Sequence, residues 1–184
     1  MTLTPLDLGH PIAGDVVELI LDDHRRFETL LRQLRDSSSD RDAVRQAFAA
    51  LHVAHAEAEE KHVYPTLRKK RAITAHQEEH SEEEHAEGHE ALLAVLELKG
   101  TDTQAFDDAV EELAKAVNHH LTEEELTILN PAREEVSEPA RAELGLKFVT
   151  ERNAQIEADC GRIANVRAIV ARDEKAGLLD EESE

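Results

Sequence analysis

The sequence predicts an all-α protein, an up-down-up-down four-helix bundle with a C-terminal helical extension. Three observations predict it. Apolar residues recur at steps of three and four through several long windows. Aromatic residues make up only 3% of the chain and Trp is absent. The core therefore rests on Leu, Val, Ile and Ala, which suits helix-on-helix packing better than a sheet. Just 7 Gly and 5 Pro occur in 184 residues, so long helices with few turns are expected.

The first helix is predicted from Asp15 to about Arg35, with Val17, Ile20, His24, Phe27, Leu31 and Leu34 on one stripe. Ser37 to Ser39 break it, and Asp40 caps the second helix. That helix carries Val44, Phe48, Leu51, His55, Glu59 and Val63 on one face and meets Pro65. From Thr66 to about Glu83 the pattern fits either a loop or a polar helical extension, because "HQEEHSEEEH" lacks apolar support. A third helix is predicted around Glu82 to Lys99, with His85, His89, Leu92 and Leu96 in register. Gly100 stops it, and Thr101 or Asp102 caps the fourth. Phe106, Val110, Leu113, Val117, His120, Glu124 and Ile128 form the fourth stripe, which ends at Asn130-Pro131. Ser137 to Lys175 reads as one or two helices, and the "LLDEESE" tail as frayed.

Short connections favour antiparallel neighbours. The expected division is a bundle over 10–135 and an extension over 136–184 that covers one side of it. The extension's apolar residues would alternatively mate with a second copy in a homodimer. Cys160 stands alone, which excludes an internal disulfide, fits a reducing cytoplasm and reads as a small buried filler.

Charge narrows the partners. With 41 acidic and 21 basic residues the formal net charge is −20. A field of that sign repels nucleic acid and anionic lipid. No window approaches the roughly 20 apolar residues of a membrane span, and MTLTPLDLGHP carries no basic region followed by an apolar run.

The candidate site lies on the apolar stripes themselves. His55/Glu59, His85/His89 and His120/Glu124 are pairs four residues apart, and His24 is a single. Side chains at that spacing share a helix face, with Cβ atoms about 5–6 Å apart. Histidine and glutamate are costly in a core unless something partners them. A cation supplies the charge the carboxylates need and takes the imidazole lone pairs. Any one such pair arises readily by chance on a solvated face. Four sets in phase with four apolar stripes do not.

Imidazole and carboxylate without thiolate suit iron, zinc, manganese or copper rather than calcium or magnesium. Five histidines and two carboxylates exceed what one tetrahedral zinc takes. Two cations joined by the carboxylates fit better, with iron first among the candidates. Loss of metal is expected below about pH 6, where imidazoles protonate.

The series His24, His55-x3-Glu59, His85-x3-His89 and His120-x3-Glu124 resembles the hemerythrin and HHE cation-binding family. The resemblance covers roughly residues 10–135. It implies a non-haem di-iron centre with an oxo or hydroxo bridge, with His24, His55, His85, His89 and His120 as terminal ligands and Glu59 and Glu124 as bridging carboxylates. Oxygen-carrying members usually pair the fourth-helix histidine with an aspartate five residues on. Here that spacing would select His119/Glu124 or His120/Glu125, whereas the helical phase selects His120/Glu124. His52 and His62 flank the stripe and read as solvent-facing, with support of the ligands as the alternative; His76 and His80 read as surface residues.

The resemblance implies small-molecule partners: dioxygen, hydrogen peroxide or nitric oxide. The leading expectation is a stand-alone protein of oxidative or nitrosative stress. Catalase-like decomposition of peroxide is the enzymatic alternative, and an iron or oxygen sensor or a metal store is another. The types and spacing of the candidate ligands are common to all of these.

Overall fold

The protein is described by a computed structural model covering residues 6–179, and every described element is helical. Helix α1 spans Val16–Arg35, α2 Arg41–Ala58, α3 Tyr64–Lys69, α4 Ala75–Glu97, α5 Gln104–Glu124, α6 Asn130–Glu135, α7 Glu138–Glu157 and α8 Ile163–Ala176. Wider π turns at Glu59–Val63 and Glu125–Leu129 join α2 to α3 and α5 to α6. No helix among the described residues is long and apolar enough to cross a membrane.

Local chemistry starts these helices. Asp15 accepts from the Val17 amide and Asp40 from the Ala43 amide, each satisfying an N-terminal donor the helix cannot. Thr74 and Gln77 form a reciprocal capping box, so "HQEEHSEEEH" belongs to α4 as a helical extension. The cap of α5 is Thr103, which accepts from the Phe106 amide, rather than Thr101 or Asp102.

The two prolines also act differently from the sequence expectation. Neither Pro65 nor Pro131 ends its helix. A π turn precedes each, and each proline sits in the first turn of the next helix, where its missing N–H is least needed.

Helices α1, α2, α4 and α5 pack in a closed ring, α1 on α2, α2 on α4, α4 on α5 and α5 on α1. The expected extension consists of two helices, with α7 lying across α1 and α2 and α8 along α4. Only the first two residues of the "LLDEESE" tail fall within the described chain. Cys160 is buried between α7 and α8, and burial pushes its thiol up to about 11.

Two apolar clusters divide the core. One holds Phe27, Leu31, Phe48, Leu92, Phe106 and Leu113 among others. The second holds Val17, Ile20, Tyr64, Leu67, Ile128 and Phe148 among others. Going along the chain, α1 passes from the second cluster to the first, and α2 returns. The α4 segment again ends in the first cluster, and α5 leads back to the second. On each of these four helices the histidines and glutamates fall at the changeover, a polar layer between two apolar ones.

Candidate metal centre

The same periodicity that buries the leucines buries the polar layer. His24, His55, Glu59, His85, His89, His120 and Glu124 are each at most 4% exposed. Ligand atoms of His24, His55 and Glu124 lie within 4.8 Å of one another, and so do those of Glu59, His85 and His120.

Each glutamate spans both trios. Glu59 places one oxygen 3.1 Å from His55 Nε2 and the other 3.1 Å from His85 Nε2. Glu124 Oε2 lies 3.1 Å from His24 Nε2 and 3.6 Å from His120 Nε2. His89 belongs to neither trio, although its ring is buried in the same layer. His119 lies at the surface against Glu84 rather than in the layer, and Glu125 turns toward the far nitrogen of His24, so His120 and Glu124 are the inward pair of α5.

Every inward imidazole is held from behind by a carboxylate. His24 Nδ1 lies 2.8 Å from Glu125, His55 Nδ1 3.2 Å from Asp23, and His85 Nδ1 2.7 Å from Glu60. His89 Nδ1 lies 3.1 Å from Asp173 and His120 Nδ1 2.9 Å from Glu84. A carboxylate there selects the Nδ1–H tautomer and leaves the Nε2 lone pair facing inward, as metal-binding histidines require. Yet Nε2 of His55, His89 and His120 and Oε1 of Glu59 are buried without a hydrogen-bond partner. Unpartnered polar atoms that converge in a buried layer are the arrangement a cation resolves. The residues fit a pair of cations.

Charge points the same way. Asp23 is met by Arg152 and Arg26, and Asp173 by Arg172. Glu59, Glu60, Glu84, Glu124 and Glu125 have only imidazoles as ion-pair partners among the described residues. Burial opposes ionisation of Glu59, but His55 and His85 hold its carboxyl well below the usual range. Burial likewise opposes charge on His55, yet Glu59 and Asp23 raise it to about 10. Burial together with the charge on His85 lowers His120.

Sequence reading missed three kinds of residue here. Tyr64 is fully buried; its hydroxyl, with one proton to donate, lies 2.8 Å from Glu124 and 3.2 Å from Glu59, and its ring stacks on His85. Burial, then the two carboxylates, push its phenol well above the ordinary value, so it stays a donor. His52, expected to face solvent, is instead buried: its ring stacks on Phe48 and meets His89 edge-on at 5.0 Å. Gly88 makes room for it, since a Cβ there would sit 2.8 Å from His52 Nε2. His62 is partly buried beside Glu151, while His76 and His80 are exposed.

The supporting acids were the third omission, and the sequence did carry a signal for four of them. An acid directly precedes His24 and His85, and a second glutamate directly follows Glu59 and Glu124. The two halves use these residues alike. Asp23 and Glu84 each support the histidine of the neighbouring helix, while Glu60 and Glu125 each support the histidine that follows the acid. The sequence around the two glutamates also runs alike, "HAEAEEKHVYP" and "HLTEEELTILNP" each having a histidine, Glu-Glu starting four residues on and then a proline.

The sequence model of the hemerythrin HHE cation binding domain matches residues 15–131, well over half of the chain, and the protein belongs to that family. Comparison with curated proteins and with solved structures found no match. Family and geometry together define a metal-cation-binding helical protein.

Proposed function

We propose that the protein is a non-haem di-iron protein of the cytoplasm that binds or reacts with dioxygen, hydrogen peroxide or nitric oxide in oxidative or nitrosative stress. The observation that carries this reading is the pair of buried trios spanned by Glu59 and Glu124. His24 and His55 would hold one iron, His85, His89 and His120 the other, and the two glutamates both. Such a pair supplies two electrons and an open coordination position to a small oxidant or to nitric oxide.

The chain's own residues prepare that chemistry. The five supporting carboxylates fix ring orientation before any metal arrives and strengthen the imidazoles as donors. The alternating passage of α1, α2, α4 and α5 between the two apolar clusters supports an up-down-up-down bundle over 10–135, with 136–184 as its cover. Those clusters exclude water on both sides of the layer. A surface cleft of about 480 Å³, lined both by leucines and by polar residues including Asn118, Asn130 and Arg133, borders Glu125, the residue that supports His24.

Tyr64 favours a second reading, catalase-like turnover, because it places a proton-bearing hydroxyl against both spanning carboxylates. Anaerobic reconstitution with Fe²⁺ tests both. Two irons per chain and an absorption spectrum that changes on exposure to air support the di-iron reading. Recovery of the starting spectrum under vacuum marks a binder, and evolution of oxygen from added peroxide marks the enzyme. A chain that retains no iron, and whose thermal midpoint ignores chelator, contradicts the reading altogether.

A further inference from the structure

Glu84 is where the two halves of the metal layer part company. Its counterpart Asp23 has both oxygens occupied: Oδ2 serves His55 and the Arg152 guanidinium, and Oδ1 is bound by Arg152 and Arg26. Glu84 uses Oε2 for His120 in the same way, at 2.9 Å. Its Oε1 has no hydrogen-bond partner, although the residue is only 4% exposed. No arginine or lysine reaches it among the described residues. Two histidines take the place of the arginines: His80 Nε2 at 3.4 Å and His119 Nε2 at 3.2 Å.

These three ligand atoms lie within 4.8 Å of one another. His80 comes from one turn before Glu84 on α4, and His119 from α5, so the trio bridges two helices packed side by side. Both imidazoles are about half exposed, with side chains 49% and 59% accessible, which leaves coordination positions open to water. His80 turns Nε2 toward the trio, while Glu83 lies 3.7 Å from its Nδ1, beyond hydrogen-bond distance.

We propose that His80, Glu84 and His119 form a third metal site, at the surface, for a divalent transition metal. Two imidazoles and one carboxylate with open positions select Fe²⁺, Co²⁺ or Zn²⁺ over Mg²⁺ and Ca²⁺. A cation there fills the role that arginine fills at Asp23, neutralising the carboxylate from outside while the other oxygen keeps its grip on His120. The site is therefore one carboxylate away from the inner centre, yet its existence does not depend on what the inner centre binds.

Anaerobic titration of the metal-free full chain with Co²⁺ in excess Mg²⁺ tests this. Alongside the tightly held inner metal, the expected result is a weaker class of one equivalent per chain, with the absorption of imidazole-bound cobalt. His80→Ala/His119→Ala should lose that class alone. Both positions are exposed, so folding is expected to be unaffected. His10→Ala, at another exposed histidine, should keep it. A weaker class that survives in the double variant, or that disappears equally in His10→Ala, overturns the proposal. If the inner reading were wrong instead, the tight class would be missing from the unaltered chain while the weaker one still responded to His80→Ala/His119→Ala.

Discussion

Tyr64 lies between Glu59 and Glu124 with one hydroxyl and two carboxylates to serve. Phe at this position keeps the stacking on His85 and removes only the donor. Hydrogen bonds to charged groups are worth about 1.5–3 kcal/mol. Tyr64→Phe is thus expected to lower the unfolding free energy of the chelated protein, read from urea titration, by that order, and an unchanged value would mean the hydroxyl does not support the carboxylates. Arg152 is the larger case. It is fully buried, binds Asp23 through two nitrogens at 2.7 and 2.8 Å and also reaches the Leu8 and Gly9 carbonyls. Truncation to Ala leaves Asp23 buried with its main counter-charge gone, a change that costs about 3–5 kcal/mol. Equilibrium unfolding of Arg152→Ala measures it; a loss under about 1 kcal/mol, the range of an exposed pair, would show that Asp23 had found water instead.

Among the elements, α7 and α8 matter because each sends a side chain into the layer. Family similarity ends at residue 131, but His89 is supported by Asp173 of α8, and Asp23 behind His55 is held by Arg152 of α7. Removing such a supporting carboxylate typically weakens metal binding 10–100-fold, roughly. Asp173→Ala is expected to do so for the metal that His89 would hold, read as chelator competition against the unaltered chain; equal competition curves would remove α8 from the site. The turn between these helices presses on α2. A Cβ on Gly161 would lie 2.4 Å from the Ala50 amide nitrogen, a backbone atom with little freedom to move. Gly161→Ala should therefore destabilise by about 1–3 kcal/mol through overpacking. A neutral result in thermal unfolding would place the turn further from α2 than described.

For the whole molecule, pH and metal act on the same nitrogens. Burial opposes charge on His24, His55 and His85, but their carboxylate neighbours win and raise all three, His55 to about 10. Unfolded histidine titrates near about 6.5. In the chelated protein these groups contribute stability that is complete below that value and is lost as pH rises through the folded ones. His52 and His120 are lowered, so they are neutral across the same window and do not oppose the trend. The chelated midpoint should fall between about pH 7 and pH 10, whereas the metal-loaded midpoint should hold, because bound imidazoles carry no proton to lose. The stabilisation conferred by metal then grows with pH, and a gap between the two midpoints that narrows over that range would contradict the assignment of histidines as ligands.

The all-helical class and the inward residues were legible because both rest on period. His24, His55, Glu59, His85, His89, His120 and Glu124 occupy the stripe that Leu and Val occupy, and a helix must bury that stripe. Contacts between elements have no period. Asp173 and Arg152 lie far along the chain from His89 and Asp23, and for Asp23, Glu60, Glu84 and Glu125 the only local trace is that each adjoins an inward residue, which does not say which imidazole it supports. Tyr64 was hidden for a related reason: the following proline reads as an end, whereas a π turn carries the helix on and swings the phenol inward. What this chain dictates locally is which faces are buried. Which acid stands behind which imidazole, and that one carboxylate is left open toward the surface, follows only once the helices are packed.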